Sequence, residues 1–306
     1  MSTRTTSTLK VGSKTLEVSN LNKVLYPAVG FTKGQIIDYY IRIAPVLLPH
    51  LKDRPLTLKR YPNGVEQPFF YEKRCPSHRP DWVRTAHIWS EGNNDYVDYC
   101  LAQDLPTLVW AANLADIELH TSLSKSRHKE RPTMLVFDLD PGPPATMVEC
   151  ATVAVWLKEV FDAFKLDVFA KTSGSKGLQL YVPLNTPVTY DRTKTFAQVL
   201  AQRMEREHPR EVVSKMQKKL RAGKVFIDWS QNDDHKTTVC VYSLRAKERP
   251  TVSTPLTWDE LETVRKKKKP NLLVFTSDDV LKRVEKHGDL FAPVLTLKQK
   301  LPDLPQ

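Results

Sequence analysis

No stretch of this 306-residue chain approaches 18 consecutive apolar residues, so no transmembrane helix and no membrane partner are expected. The opening MSTRTTSTLK has no apolar core of the kind a secretory leader needs, which points to a cytoplasmic protein. Cysteine is sparse: Cys75, Cys100, Cys150 and Cys240 are widely spaced and none forms a C-x-x-C pair. CPSH offers Cys75 and His78 as a ligand pair, but no second pair stands at a zinc-like distance. Four free thiols in a reducing compartment are therefore expected. Internal repeats and long low-complexity segments are also missing. Negative charge is in deficit, with 35 Asp plus Glu against 46 Lys plus Arg, a net +11 and a pI near 9.4. That balance favours a polyanionic partner, with nucleic acid the first candidate. The run VRKKKKP is read as a solvated surface segment.

What is present is an ordinary folded composition, 41% hydrophobic and 26% charged, long enough for one large domain or two lobes. Thr32 and Gln35 form a capping-box pattern that opens a helix with Ile36, Tyr40, Ile43 and Leu47 on one face. Pro45 is expected to kink or divide that helix. The polar segment SKSRHKERPT, residues 124–133, suggests a boundary between lobes 1–130 and 131–306. Beyond it strands alternate with helices: MLVFDLD, then MVECATVAVWLKEVFDAF, DVFAKTSGS, GLQLYVPL, DRTKTFAQVLAQRMERE, KVFIDWS and TTVCVYSL. Weaker helices follow near 257–265 and 278–287. Mixed strands and crossing helices argue for an α+β or mixed α/β fold with central sheets flanked by helices.

In MLVFDLDPG, Asp138 and Asp140 stand two apart on a strand, so both project from one face about 7 Å apart. Two carboxylates so close repel unless something compensates them, and a divalent cation does so. A strand-end cap, a phosphohydrolase nucleophile of the haloacid-dehalogenase type and a glycosyltransferase metal site fit the same D-x-D. Asp228, flanked by Phe226, Ile227 and Trp229, is a third carboxylate that needs a partner or a metal. Between these lies KTSGSKGLQLYVPL, where Gly174 and Gly177 free the backbone while Ser173, Ser175 and Lys176 offer hydroxyls and charge. It suits a triphosphate, although it is not a Walker A loop because a strand follows it. The same four residues SGSK match the S-x-x-K of penicillin-binding enzymes, but that pattern belongs at a helix start.

Taken in order, FDLDPG, TSGSKGLQLYVPL and VFIDWSQN resemble the three motifs of the archaeo-eukaryotic primase superfamily. The chain is most similar to the polymerase domain of bacterial DNA ligase D and its stand-alone relatives in non-homologous end joining. NLNKVLYPAVGFTKGQIIDYY, RYPNGVEQPFFYEK and YSLRA extend the resemblance over roughly residues 15–250. It implies a two-lobed α+β primase-type core that fills gaps and extends DNA ends by two-metal nucleotidyl transfer. Asp138, Asp140 and Asp228 would hold two divalent cations, Mn²⁺ or Mg²⁺. Ser173, Lys176 and Gln179 would meet the nucleoside triphosphate with His120, Lys59, Gln231 and Arg245, and more weakly Asn20. Lys23 and Lys33 would bind the 5′-phosphate across a gap or break, Phe70 and Tyr71 would stack on template bases, and Arg221 would add a DNA contact. Without the resemblance, the two lysines read as solvated surface and the aromatic pair as core. Substrates would be NTPs or dNTPs with a ribonucleotide preference, and the implied partners are DNA ends, Ku and a ligase. One position departs from the pattern: Gln179 stands where the motif usually has His, and Gln cannot carry charge. Weaker nucleotide binding is the expected consequence. A D-x-D phosphohydrolase and a non-catalytic DNA-end-bridging module remain the competing readings.

Overall fold

A computed structural model of the protein describes residues 5–303. The chain divides into two compact units. Of the described residues, one comprises 5–122, 239–252 and 276–288, and the other 123–238, 253–275 and 289–303.

The second unit is built on a six-stranded sheet. Its strands lie in the order Val212–Val213, Val225–Asp228, Met134–Pro141, Leu178–Pro183, Phe169–Thr172 and Pro255–Leu256. The first pair is parallel and the others are antiparallel. Side chains alternate across such strands, and the sequence obeys that period. Leu135, Phe137, Leu139, Leu178, Leu180 and Ile227 are fully buried on one face. Helices Met147–Ala163 and Tyr190–Glu207 cover that face with Cys150, Ala154, Leu157 and Phe161 and with Phe196, Leu200 and Met204. A Thr146–Glu149 capping box starts the first helix, and Thr189 caps the second. The opposite face carries Asp138, Asp140, Gln179, Lys171 and Asp228 beside buried Val136, Tyr181 and Phe226.

In the first unit, Leu56–Arg60 pairs with Asp116–Thr121, with Phe70–Glu72 and with Asp95–Cys100, which in turn pairs with Thr85–Ser90. Helix Lys33–Leu51 forms its capping box between Thr32 and Gln35 and buries Ile36, Tyr40, Ile43 and Leu47. It runs unbroken through Pro45 and Pro49, so the division expected at Pro45 does not occur. The buried face holds the helix through the turn where a proline removes one amide donor.

Three further expectations are corrected. Cys75 and Cys100 form a disulfide, and Cys150 and Cys240 are buried thiols outside it. The pair is 25 residues apart and meets because the Cys75 amide donates to the Asp98 carbonyl beside the strand ending at Cys100, which no local spacing reveals. TTVCVYSL is not one strand. It breaks after Val239 and resumes at Leu244, with Tyr242 in the left-handed region at φ 65°. Asp228 is the last residue of its strand and caps the short helix that follows, so it is half-buried rather than enclosed. Among the described residues, no helix is long and apolar enough to cross a membrane.

Asn232 fixes that short helix against the central strand. Its Oδ1 accepts from the Val136 amide at 2.9 Å, and its Nδ2 donates to the Val136 carbonyl at 2.7 Å. Asn232→Ala would strand both backbone groups, at a cost of about 2–4 kcal/mol. Urea denaturation should show that loss as a lowered midpoint at unchanged slope.

Candidate active site

Strand register places four polar residues in one row across the face of the second unit's sheet that its two helices do not cover. Asp228 lies opposite Asp138, Asp138 opposite Gln179, and Gln179 opposite Lys171. Asp140 projects from the same face one step along the central strand, two residues from Asp138. Directly opposed side chains in a sheet stand about 5 Å apart, so Asp138 and Asp228 face each other at close range. Burial pushes the Asp138 carboxyl up to about 7. The charges of Asp140 and Asp228 push the same way, against a hydrogen bond from Gln179 and the charge of Lys171.

The Ser-Gly-Ser-Lys-Gly turn joins Phe169–Thr172 to Leu178–Pro183 beside this row. Gly174 takes a left-handed φ of 68°. Gly177 lies so close to the central strand that a Cβ there would sit 2.3 Å from the Leu139 carbonyl oxygen and 3.3 Å from Asp140 Oδ1. Any side chain at 177 would push the turn off Asp140. Ser173 Oγ accepts from the amides of Ser175 at 3.2 Å and Gly177 at 3.1 Å, so two of the turn's N–H groups converge on a hydroxyl. Lys176 is exposed at the tip.

Asp228 accepts from the Ser230 amide and hydroxyl at 2.9 and 2.6 Å and from Gln231 Nε2 at 3.0 Å. Gln231 therefore supports a carboxylate in this structure. Gln179 is buried, and its amide bonds Asp138 and Lys171. Arg221 packs its guanidinium 3.6 Å from the Phe226 ring centroid and donates to the Met216 carbonyl. Its own backbone comes so near Gly142 that only glycine fits there, because a Cβ would lie 1.9 Å from the Arg221 oxygen.

The first unit carries a second centre of opposite character, whose anchor Glu118 sequence reasoning missed. Glu118, 1% exposed, gathers two cations and an imidazole: Lys59 at 3.2 Å, Arg245 at 3.2 Å and His120 at 3.0 Å. Tyr61 and the Ala246 amide complete its oxygens. Burial alone would raise the Glu118 carboxyl, but His120, Arg245 and Lys59 outweigh it and hold it well below the usual range. Burial lowers the His120 pKa, against the pull of Glu118. The three basic residues named from the motifs thus share one anchor. Asn20 is not among its partners. Asn20 takes a φ of 54° and uses its side chain on the Thr5 amide.

Phe69, Phe70 and Tyr71 are 48%, 44% and 56% exposed, so the reading of this aromatic stretch as core is excluded. Lys59 Nζ lies 4.4 Å from the Phe69 centroid, and Tyr71 meets His120 edge-on. Lys23 and Lys33 are drawn together by a bond from the Lys33 amide to the Lys23 carbonyl at the start of the capped helix. Lys23 Nζ donates to the Pro62 carbonyl, while Lys33 is largely buried and reaches Ser19.

Two groups of side chains could attract a cation. Asp233, Asp234 and His235 bring ligand atoms within 4.8 Å of one another, but Asp233 is already paired with Lys194 at 2.6 Å and Asp234 with Lys129 at 3.7 Å. The row at Asp138 fits better. Asp138 Oδ1 is buried without a hydrogen-bond partner, and an acceptor-only oxygen in that state is what a hard cation satisfies.

The fold is that of a polymerase domain. It matches the polymerase domain of Mycobacterium tuberculosis ligase D in complex with DNA at a TM-score of 0.84 and 39% identity, covering 92% of this chain and 98% of that one. The family model for the LigD primase-polymerase domain matches residues 32–291, and the chain belongs to that family. It is 40% identical over 281 residues to the multifunctional non-homologous end joining protein LigD of Mycolicibacterium smegmatis, covering 91% of this chain and 36% of that protein. Identity to the M. tuberculosis LigD is 42%, covering 89% and 36%. For the bifunctional LigD of Bacillus subtilis it is 33%, covering 89% and 43%. The chain thus spans well under half the length of these relatives. Family membership carries the class of chemistry, nucleotidyl transfer by a polymerase of non-homologous end joining.

Two outcomes follow from the two centres. A carboxyl raised from 3.8 to about 7 lends stability that is present at low pH and lost as the pH rises through that interval. Thermal melts without divalent ions should therefore show stability falling toward pH 7. Asp138→Asn should flatten that slope, and Mn²⁺ should stabilise more at pH 8 than at pH 6. Glu118→Gln leaves the partly buried Lys59 and Arg245 without their counter-charge and should cost about 3–5 kcal/mol in urea denaturation.

Proposed function

We propose that this chain is a template-directed primase-polymerase that fills gaps and extends broken DNA ends carrying a 5′-phosphate. The observation that carries the reading is the row of Asp138 and Asp228, with Asp140 beside them, on the sheet face away from the two helices. Two divalent cations, Mn²⁺ or Mg²⁺, held there by the three carboxylates would activate a primer 3′-hydroxyl and stabilise the departing pyrophosphate. Asp138 and Asp140 reach a common space because the strand's period is two. The Ser230 and Gln231 bonds hold the Asp228 carboxylate still.

Ser173 and Lys176 would bind the triphosphate. The turn's amides can exchange Ser173 Oγ for a phosphate oxygen without moving the strands that flank it. Lys59 and Arg245, both on Glu118, form a basic group with His120 beside them. They would meet phosphates of the nucleotide. Lys23 and Lys33 would take the 5′-phosphate, and Arg221 would contact DNA. Phe70 and Tyr71 are exposed enough to stack on template bases, at about 1–3 kcal/mol each. The reading includes a ribonucleotide preference, work in the bacterial cytoplasm at the nucleoid, and cooperation with Ku and a ligase.

The test is a gapped duplex with labelled NTP and Mn²⁺. Extension by the wild type, reduced to background in Asp138→Ala plus Asp140→Ala, is the expected result. Extension should also weaken when the 5′-phosphate is removed, and Lys23→Ala plus Lys33→Ala should erase that difference. Orthophosphate release without extension would favour a phosphohydrolase. Tight end binding with no addition would favour a bridging module.

A further inference from the structure

Lys171 has no assigned role, yet it is 1% exposed in the middle of a strand. A buried ammonium is costly unless its donors are used. Here Nζ donates to Gln179 Oε1 at 2.5 Å and to Ser253 Oγ at 2.7 Å, and it lies 5.3 Å from the Tyr181 ring centroid. Ser253 Oγ in turn donates to the Thr172 carbonyl at 2.8 Å, so its lone pairs are turned toward Lys171. The Tyr181 hydroxyl lies 3.3 Å from the same Gln179 Oε1.

These contacts decide which way the Gln179 amide points. The two ends of a glutamine amide have nearly the same shape, and only their partners distinguish them. An ammonium is a donor with no acceptor capacity, so Lys171 binds the oxygen end. The NH₂ end is thereby turned to Asp138, which Gln179 hydrogen-bonds on its other side. The register makes this a straight chain across four strands: Lys171, Gln179, Asp138, Asp228. Reversal of the amide would set a carbonyl oxygen against a carboxylate and an NH₂ against an ammonium, and both ends would repel.

We propose that Lys171 and Gln179 act as one positioning unit that orients the Asp138 carboxylate for cation binding, so that Gln179 serves the metal site and not the nucleotide phosphate. This rests on the cation reading of Asp138 given above. It divides two tasks between two side chains. Gln179 supplies the hydrogen bond, and Lys171 supplies the positive charge that Gln179 lacks.

The experiment measures Mn²⁺ affinity directly, by electron paramagnetic resonance of free Mn²⁺, together with kcat and nucleotide KM at saturating Mn²⁺ in gap filling. The proteins are wild type, Lys171→Met, Gln179→Leu, the double variant and Asp138→Ala, each checked for folding by circular dichroism. Loss of a residue that orients a metal ligand costs about 10–100-fold in metal affinity. Lys171→Met and Gln179→Leu should each weaken Mn²⁺ by about tenfold or more, the double variant should be no worse than the weaker single, and nucleotide KM should barely move. If Lys171→Met does not fold, Gln179→Leu alone decides, since it removes the same link from the other side. Unchanged Mn²⁺ affinity with a raised nucleotide KM in Gln179→Leu would overturn the inference and make Gln179 a phosphate ligand. Equal Mn²⁺ affinity in wild type and Asp138→Ala would overturn the cation reading itself, and this inference with it.

Discussion

Mutual repulsion among carboxylates on one sheet face is the constraint around which the second unit is organised. Asp138 and Asp228 are opposed across a strand pair, and Asp140 joins them from the same face. Unpaired, such charges destabilise a fold, and burial sharpens the penalty because the solvent that would screen them is partly removed. The surrounding residues supply donors: Ser230 and Gln231 for Asp228, and Gln179 with Lys171 behind it for Asp138. They stop short of full compensation, leaving Asp138 Oδ1 buried and without a partner. The apolar side of the same strands, packed under two helices, holds the row flat and fixes its register.

The first unit solves the inverse problem with the same means. Lys59 and Arg245 would repel each other, and Glu118 binds both, with His120 on the same carboxylate oxygen. A buried pair is weak evidence of stability, but removal of its one anion is costly. Each unit thus displays charge of one sign, held in place by a minority of the other. A protein that handles phosphates needs both: carboxylates for cations, and basic groups for the anion itself.

Much of this was legible in the sequence because it follows local periods. Asp138 and Asp140 share a face by the strand repeat, the Thr32–Gln35 box starts a helix, and glycines mark the turn at 174 and 177. What stayed hidden depends on register between distant segments. Glu118 meets Arg245 across 127 positions of chain only after the fold forms, although a carboxylate between Ile117 and Leu119 carries the same signal that drew notice to Asp228. Lys171, set within an apolar strand, gave a similar signal. Asn232 and the Cys75–Cys100 pair left no local pattern. Pro45 misled because a buried helix face overrode a local breaker.

The central claim is that the row at Asp138 is the cation site. Anomalous scattering from crystals grown with Mn²⁺ and a non-hydrolysable NTP tests it most directly. The account predicts manganese peaks bridging Asp138, Asp140 and Asp228. Manganese at Asp233, Asp234 and His235, with none at the row, would contradict it.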